Sequence, residues 1–285
     1  MEPIRIDDPA DARVGAYLDI RERDLAGRQG RFVAEGRVVL DVLLTTGRFR
    51  PESVLVLENR LAGLADSLAK LPAGIPVYVA SGDVMDRIAG FHMHRGILAI
   101  GLKDSKPSPQ ELLDALPAKS LVLVLVGISN HDNMGSIFRN AAAFGAGAIF
   151  LDRTCCDPLY RKAIRVSVGA ALKVPFAVFD DTASLADRLD RRGFDRYALS
   201  PGGRTDIRQA PCAERLALYL GTEGDGLPAS LLSSMNTVRI GMAAGFDSLN
   251  VAAASAIALH HFSAGQDRSP DTGGVIRSAR PSAAP

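Results

Sequence analysis

The chain has 285 residues, 47% apolar and 23% charged, which excludes disorder as the main state and, at about 150 residues per domain, suggests two domains. No apolar run reaches the roughly 18 residues of a membrane helix, and the acidic, proline-containing start Met1 to Ala10 has neither the basic nor the apolar stretch of a signal peptide, so a cytoplasmic protein is expected. With 33 basic against 32 acidic residues the net charge is +1, so any affinity for a polyanion must come from local patches.

Arg13 to Arg50 holds one such patch, eight arginines against five acids, which a solvated helical face with salt pairs explains equally well. Through the first hundred residues, short β-branched runs (Arg31 to Ala34, Ser53 to Leu57, Pro76 to Val79, Gly96 to Ile100) alternate with amphipathic stretches (Gly36 to Thr46, Leu61 to Leu71). The pattern predicts a small α/β domain over 1–101. His92 and His94 in GFHMHRG are spaced for one side of a strand; without a nearby carboxylate or cysteine cluster they point to the junction of two domains rather than to zinc. Residues 102–120 hold proline, serine and lysine and little to bury, and read as a linker with a helical turn or two near Gln110 to Leu116.

From Leu121 to Val126 the run LVLVLV is apolar on both faces, the signature of a central strand covered by helices on both sides. Further strands are expected at Ala148 to Leu151, Phe176 to Phe179, Arg196 to Leu199, Leu216 to Leu220 and Val238 to Met242. Helices are expected at Met134 to Phe144, Tyr160 to Ala171, Thr182 to Arg192, Ala229 to Met235 and Asn250 to His261. The result is a mostly parallel sheet over 121–263, with chemistry in the loops beyond the carboxyl ends of its strands. Cys155 and Cys156 are adjacent and Cys212 stands alone, which suits reduced structural thiols. Residues 264–285, rich in Gly, Pro and small side chains, read as a disordered tail.

Three loops carry the functional argument. In NHDNMGSIFRNAAAFG, Asp132 or Asn133 is expected to cap a helix bearing Arg139. In LYLGTEGDGL, Gly221, Gly224 and Gly226 directly follow a strand and let backbone approach a ligand, with Glu223 among exposed amides. In IGMAAGFDSLNVAAASAIALHHF, Ser248 and Asn250 precede a helix so apolar that it must be buried nearly all round, in a domain centre or, more readily, a subunit interface; His260 and His261 close that helix. Neither a dinucleotide GxGxxG in its strand–helix context nor a GxxxxGK[ST] loop occurs.

In this order the three segments resemble the SpoU family of RNA 2′-O-ribose methyltransferases, within the SPOUT superfamily. Its first motif is similar to Asn133, Gly135 and Arg139, its second to Gly221, Glu223 and Gly226, and its third to Ser248, Leu249 and Asn250. The likeness extends to RKAIRVSVGAALKVP and ALSPGG, while RFVAEGRVVLDVLL is similar to the start of the small α/β RNA-binding domain that precedes many of these catalytic domains. Where the family has a proline after the third motif's isoleucine, this chain has Gly241 after Ile240, which gives up a fixed φ.

The resemblance implies an α/β fold with a deep trefoil knot, S-adenosylmethionine as cofactor held near Leu199, Gly221, Ile240, Met242 and Leu249, a homodimer, no metal, and a tRNA or rRNA substrate. It implies catalytic roles for Asn133, Arg139, Glu223, Ser248 and Asn250, with phosphate contacts from the N-terminal Arg28, Arg31 and Arg37. Because a guanidinium stays protonated, Arg139 is expected to orient the ribose phosphate and stabilise a developing alkoxide rather than to act as a base. The alternatives are an RNA-binding protein that retains the fold with weak turnover, and a small-molecule methyltransferase, for which the added N-terminal domain would be superfluous.

Overall fold

In a computed structural model, the description covers residues 2–18, 20, 30–104, 107–222 and 224–265. The expectations resting on Arg28, Glu223 and the tail from residue 266 onward lie outside those residues.

Two sheets organise the chain. The first holds β1 (Ile4–Ile6), β2 (Arg31–Glu35), β3 (Arg50–Leu57), β4 (Val77–Ala80) and β5 (Ile97–Leu102) in the order β1-β4-β3-β5-β2. β5 runs antiparallel to both β2 and β3, and the remaining pairs are parallel. The second sheet is parallel throughout and contains β6 (Ser120–Leu125), β7 (Ala148–Leu151), β8 (Phe176–Val178), β9 (Asp195–Leu199), β10 (Thr205–Asp206), β11 (Arg215–Leu220) and β12 (Asn236–Arg239). Its order is β10-β12-β9-β11-β6-β7-β8. Every residue of β6 is buried, as a strand between two helix layers requires, and it pairs with β11 in the register Leu121 with Leu216 through Leu125 with Leu220.

The core does not stop at the seam between the sheets. One buried cluster joins Val39, Leu40 and Leu43 of helix Arg37–Thr46 to Ala163, Ile164 and Leu172 beyond β7. Polar links cross the same seam: Arg161 Nη1 donates to Glu35 Oε2 at 2.5 Å, Arg48 Nη1 to the Val174 carbonyl at 2.7 Å, and Lys103 Nζ lies 2.9 Å from Asp157 Oδ2. Burial holds the Arg48 guanidinium down at about 10. The expected linker holds helix Pro109–Ala115, closed by a capping box between Ser108 and Glu111. Its Leu113 is buried with Val122, Phe150 and Phe179, so this helix belongs to the second sheet's core.

Several expected elements differ. Asn130, rather than Asp132 or Asn133, caps helix His131–Ala143, its Oδ1 accepting from the Asp132 and Asn133 amides at 2.8 and 3.2 Å. The single helix expected over Tyr160 to Ala171 is two, Arg161–Val166 and Ala170–Lys173, broken where Val168 and Gly169 take φ of 53° and 84°. β12 ends at Arg239, leaving Ile240 to Met242 in a loop. His92 and His94 sit outside any strand, their rings edge to face at 4.7 Å, and Asp86 provides the carboxylate neighbour that sequence spacing concealed, 2.6 Å from His92 Nδ1. Helix Val251–Phe262 is not buried all round: Ala253 and His260 are exposed, and Ile257 is 42% exposed. Burial pushes the Cys155 and Cys156 thiols up to about 12 and about 11, which suits inert structural cysteines. Among the described residues no helix is long and apolar enough to cross a membrane.

Candidate functional site

Because the second sheet is parallel, its strands all end on one side, and β12, β9 and β11 are neighbours there. The loops leaving them enclose a cleft of about 340 Å³. Leu199 stands at the end of β9, Gly221 and Thr222 follow β11, and Ile240 and Met242 follow β12; Ser248, Leu249, Asn250 and Val251 close the cleft from the entry of the last helix. The five residues expected to hold a cofactor, drawn from four places in the sequence, thus share one cavity.

Glycine makes that loop packing possible. A Cβ at Gly221 would lie 2.4 Å from the Gly226 carbonyl carbon and 2.5 Å from the Leu227 nitrogen, so only a residue without a side chain lets the loop fold back on itself. The doubling-back is fastened by the bridge between Thr222 and Gly226, with Gly224 and Gly226 at φ of 99° and 69°. Gly203, in the turn after β9, is as tight, its Cβ position 2.3 Å from the Val238 carbonyl carbon. Gly241 differs: it has no positive φ, and a Cβ there would meet only Asp206 Oδ2 at 3.3 Å and an Arg208 nitrogen at 3.6 Å. Hydrogen bonds from Arg208 hold the Asp206 carboxyl well below the usual range.

The first and third motifs meet beside the cleft. Asn250 caps the last helix, its Oδ1 accepting from the Ala252 amide at 2.9 Å, and its Nδ2 donates to Oδ1 of buried Asn133 at 2.9 Å. A second tie went unnoticed in the sequence: Asn140 Nδ2 donates to the Ala252 carbonyl at 2.8 Å and to Ser255 Oγ at 2.9 Å. Its only sequence signal is a polar residue seven positions after Asn133, about two helical turns on along the same face. Arg139 is not brought into this group. It lies on the exposed side of helix His131–Ala143, outside the cleft lining, and its side chain makes no hydrogen bond or ion pair with any described residue. His131 is half-buried in the first turn, its ring 4.2 Å from that of Tyr160.

The expected RNA-contacting residues part company. Arg31 is half-buried and donates to Glu52 Oε1 at 2.6 Å, the geometry of a structural ion pair. Arg37 is exposed, 3.9 Å from Asp41.

The cleft suits a cofactor with an aromatic and an apolar part. Its described walls are aliphatic side chains, glycine-loop backbone and the polar side chains of Ser200, Thr222, Ser248 and Asn250, and they include no Lys or Arg, so a phosphate-bearing cofactor would find no countercharge there.

The sequence pattern of the SpoU rRNA Methylase family matches residues 120–260. The chain is 40% identical over 262 residues to an uncharacterized tRNA/rRNA methyltransferase of Mycobacterium bovis, covering 89% of each chain. It is 31% identical over 189 residues to the 23S rRNA (guanosine-2′-O-)-methyltransferase RlmB of Ralstonia nicotianae, covering 66% of this chain and 76% of that one. Among solved structures, an RNA 2′-O ribose methyltransferase superposes with a TM-score of 0.71 at 25% identity, covering 91% of this chain and 98% of the other. An rRNA methyltransferase from Sinorhizobium meliloti superposes with a TM-score of 0.77 at 22% identity, covering 90% and 96%.

Proposed function

The chain belongs to the SpoU rRNA Methylase family and is an S-adenosylmethionine-dependent tRNA/rRNA methyltransferase; we propose that its target is a ribose 2′-hydroxyl and that the cleft at the ends of β9, β11 and β12 is the cofactor site. The observation that carries this reading is the convergence of Leu199, Gly221, Ile240, Met242 and Leu249 on one cleft, with Asn133 and Asn250 joined beside it.

When bound, S-adenosylmethionine supplies an electrophilic methyl group. The chain's own task is to hold the ribose in line with that group and to favour loss of the hydroxyl proton. Asn133 and Asn250 form a rigid polar pair at the cleft edge, and Ser248 adds a hydroxyl to its lining; together these orient the ribose. Glu223 belongs to the same proposed set. Arg139 works from outside the cleft, as a fixed positive charge for the ribose phosphate and the developing alkoxide.

Phe246 and Leu249 in the loop after β12 and Ile257 on the last helix are exposed, and they support a homodimer whose interface covers them. A neighbouring subunit there would let Arg139 complete a cleft other than its own. The order β10-β12-β9-β11, in which the chain returns to insert β12 between earlier strands, supports a trefoil knot around the cofactor loops. The boundaries proposed are an RNA-binding domain over 1–101, a connecting segment over 102–120, a catalytic domain over 121–263 and a dispensable tail, in a protein working on cytoplasmic RNA.

Single-turnover kinetics tests the assignment of Arg139. Arg139→Ala should lower methyl transfer by about 10² to 10⁴ with cofactor affinity little altered, and Arg139→Lys should recover only part of the rate. An alanine variant with the full rate would remove Arg139 from the reaction.

A further inference from the structure

The seam between the two sheets opens into a groove of about 450 Å³, separate from the cofactor cleft, with walls from both halves of the chain. Arg37, Arg60 and Arg95 line it from the N-terminal half, and Arg165 from the short helix after β7. One carboxylate, Glu35, lines the groove with these four arginines, and it is engaged by half-buried Arg161 at 2.5 Å.

The groove arginines lack the carboxylate partners that several exposed arginines have elsewhere on this chain. Arg5, Arg13, Arg50 and Arg153 each lie within 3.1 Å of a carboxylate oxygen. By contrast, the side chains of Arg60 and Arg165 make no hydrogen bond or ion pair with any described residue, that of Arg95 reaches only the Glu35 carbonyl at 3.5 Å, and that of Arg37 stands 3.9 Å from Asp41, which Lys70 also holds at 3.3 Å. Gathering like charges in a half-enclosed space destabilises the free protein, and a polyanion relieves that repulsion on binding.

Apolar surface lies beside the charge. Val38 and Val168 are 45% and 40% exposed in the same groove, and Val168 is the described non-glycine residue held at positive φ. Alternating guanidiniums and exposed aliphatic surface fit a polynucleotide, with charge for phosphates and apolar contact for sugar and base faces.

We propose that this seam groove is a phosphate-binding track for the substrate RNA, formed jointly by Arg37, Arg60, Arg95 and Arg165. The proposal rests on the reading of the chain as an RNA methyltransferase. It gives the seam a function: the two halves must stay fixed relative to each other for the track to lead from the N-terminal sheet toward the catalytic one.

The full chain is titrated into a fluorescein-labelled RNA hairpin over a range of salt concentrations, and S-adenosylmethionine affinity is measured in parallel by calorimetry. In the combined variant Arg60→Gln, Arg95→Gln, Arg165→Gln, the slope of log Kd against log salt should become shallower by about 2, and affinity at moderate salt should fall at least tenfold. Cofactor affinity should stay unchanged, which also verifies folding. The combined lysine variant at the same positions should keep most of the slope, and Arg5→Gln, Arg50→Gln, Arg153→Gln should behave as wild type. Wild-type RNA binding that the glutamine variant leaves unaltered overturns the groove alone; a wild-type chain that binds the cofactor but no RNA overturns the RNA reading and the groove with it.

Discussion

Asn250 Nδ2 donates to Asn133 Oδ1 at 2.9 Å, joining two positions 117 residues apart. The direction of that bond is set by capping. Asn250 Oδ1 accepts from the amides of Ala252 and Ala253 at the start of the last helix, so only its NH₂ group remains to face Asn133. One side chain therefore both starts a helix and locks the first motif against the third.

The two roles separate by substitution. Serine caps as well as asparagine but is too short to reach Asn133, so Asn250→Ser should melt near the wild-type temperature, whereas Asn250→Ala should lose about 1 kcal/mol of stability. Both should slow single-turnover methyl transfer by about 10² if the pair positions the ribose. A serine variant with the full rate would reduce the pair to a structural contact.

Gly221 and Gly241 should respond in opposite ways to one added methyl group. At Gly221 the methyl would meet backbone at 2.4 Å, so Gly221→Ala must move the loop and should weaken S-adenosylmethionine binding at least tenfold, about 1.4 kcal/mol. At Gly241 the nearest atom is a side-chain oxygen at 3.3 Å, so Gly241→Ala should stay within about threefold of wild type, below 1 kcal/mol. Calorimetry on both variants decides; equal losses would mean that the loop after β12 is as constrained as the loop after β11.

The Glu35–Arg161 pair at the seam predicts a strong asymmetry. Glu35 is 7% exposed at its side chain and Arg161 14%, so removing the carboxylate leaves a buried charge unmatched. Glu35→Ala should cost about 3–5 kcal/mol, whereas Glu35→Leu with Arg161→Met, which removes both charges, should recover most of it. Denaturant unfolding measures both. A mild loss in the single variant would mean that water reaches the pair and that the seam is looser than its packing indicates.

Much of the architecture was legible because it rests on local patterns. The all-apolar run at β6 points to a strand buried on both faces, and the glycines after β11 point to backbone that a ligand can approach; that Gly221 also lets the loop fold back on itself shows only in the structure. What stayed hidden depends on non-local choices. In NHDN, three residues are competent helix caps, and the selection of Asn130 follows from where the chain leaves β6. The break at Val168 is invisible to hydrophobic spacing because the segment around it remains apolar. Arg139 was recognisable as a motif residue, yet its position outside the cleft depends on the rotation of its helix. The seam groove could not be read at all, since Arg60, Arg95 and Arg165 come from three separate segments and meet only in the folded chain.

The most direct test of the central claim identifies the methylated atom. The full chain is incubated with methyl-labelled S-adenosylmethionine and unmodified tRNA or rRNA, and the RNA is digested to nucleosides and separated by chromatography with mass detection. The account predicts label in a 2′-O-methylnucleoside, with the adjoining phosphodiester resistant to alkali because the 2′-oxygen can no longer attack it, and a large loss of that label with Arg139→Ala. Label on a base, or no label from a chain that binds both cofactor and RNA, would contradict it.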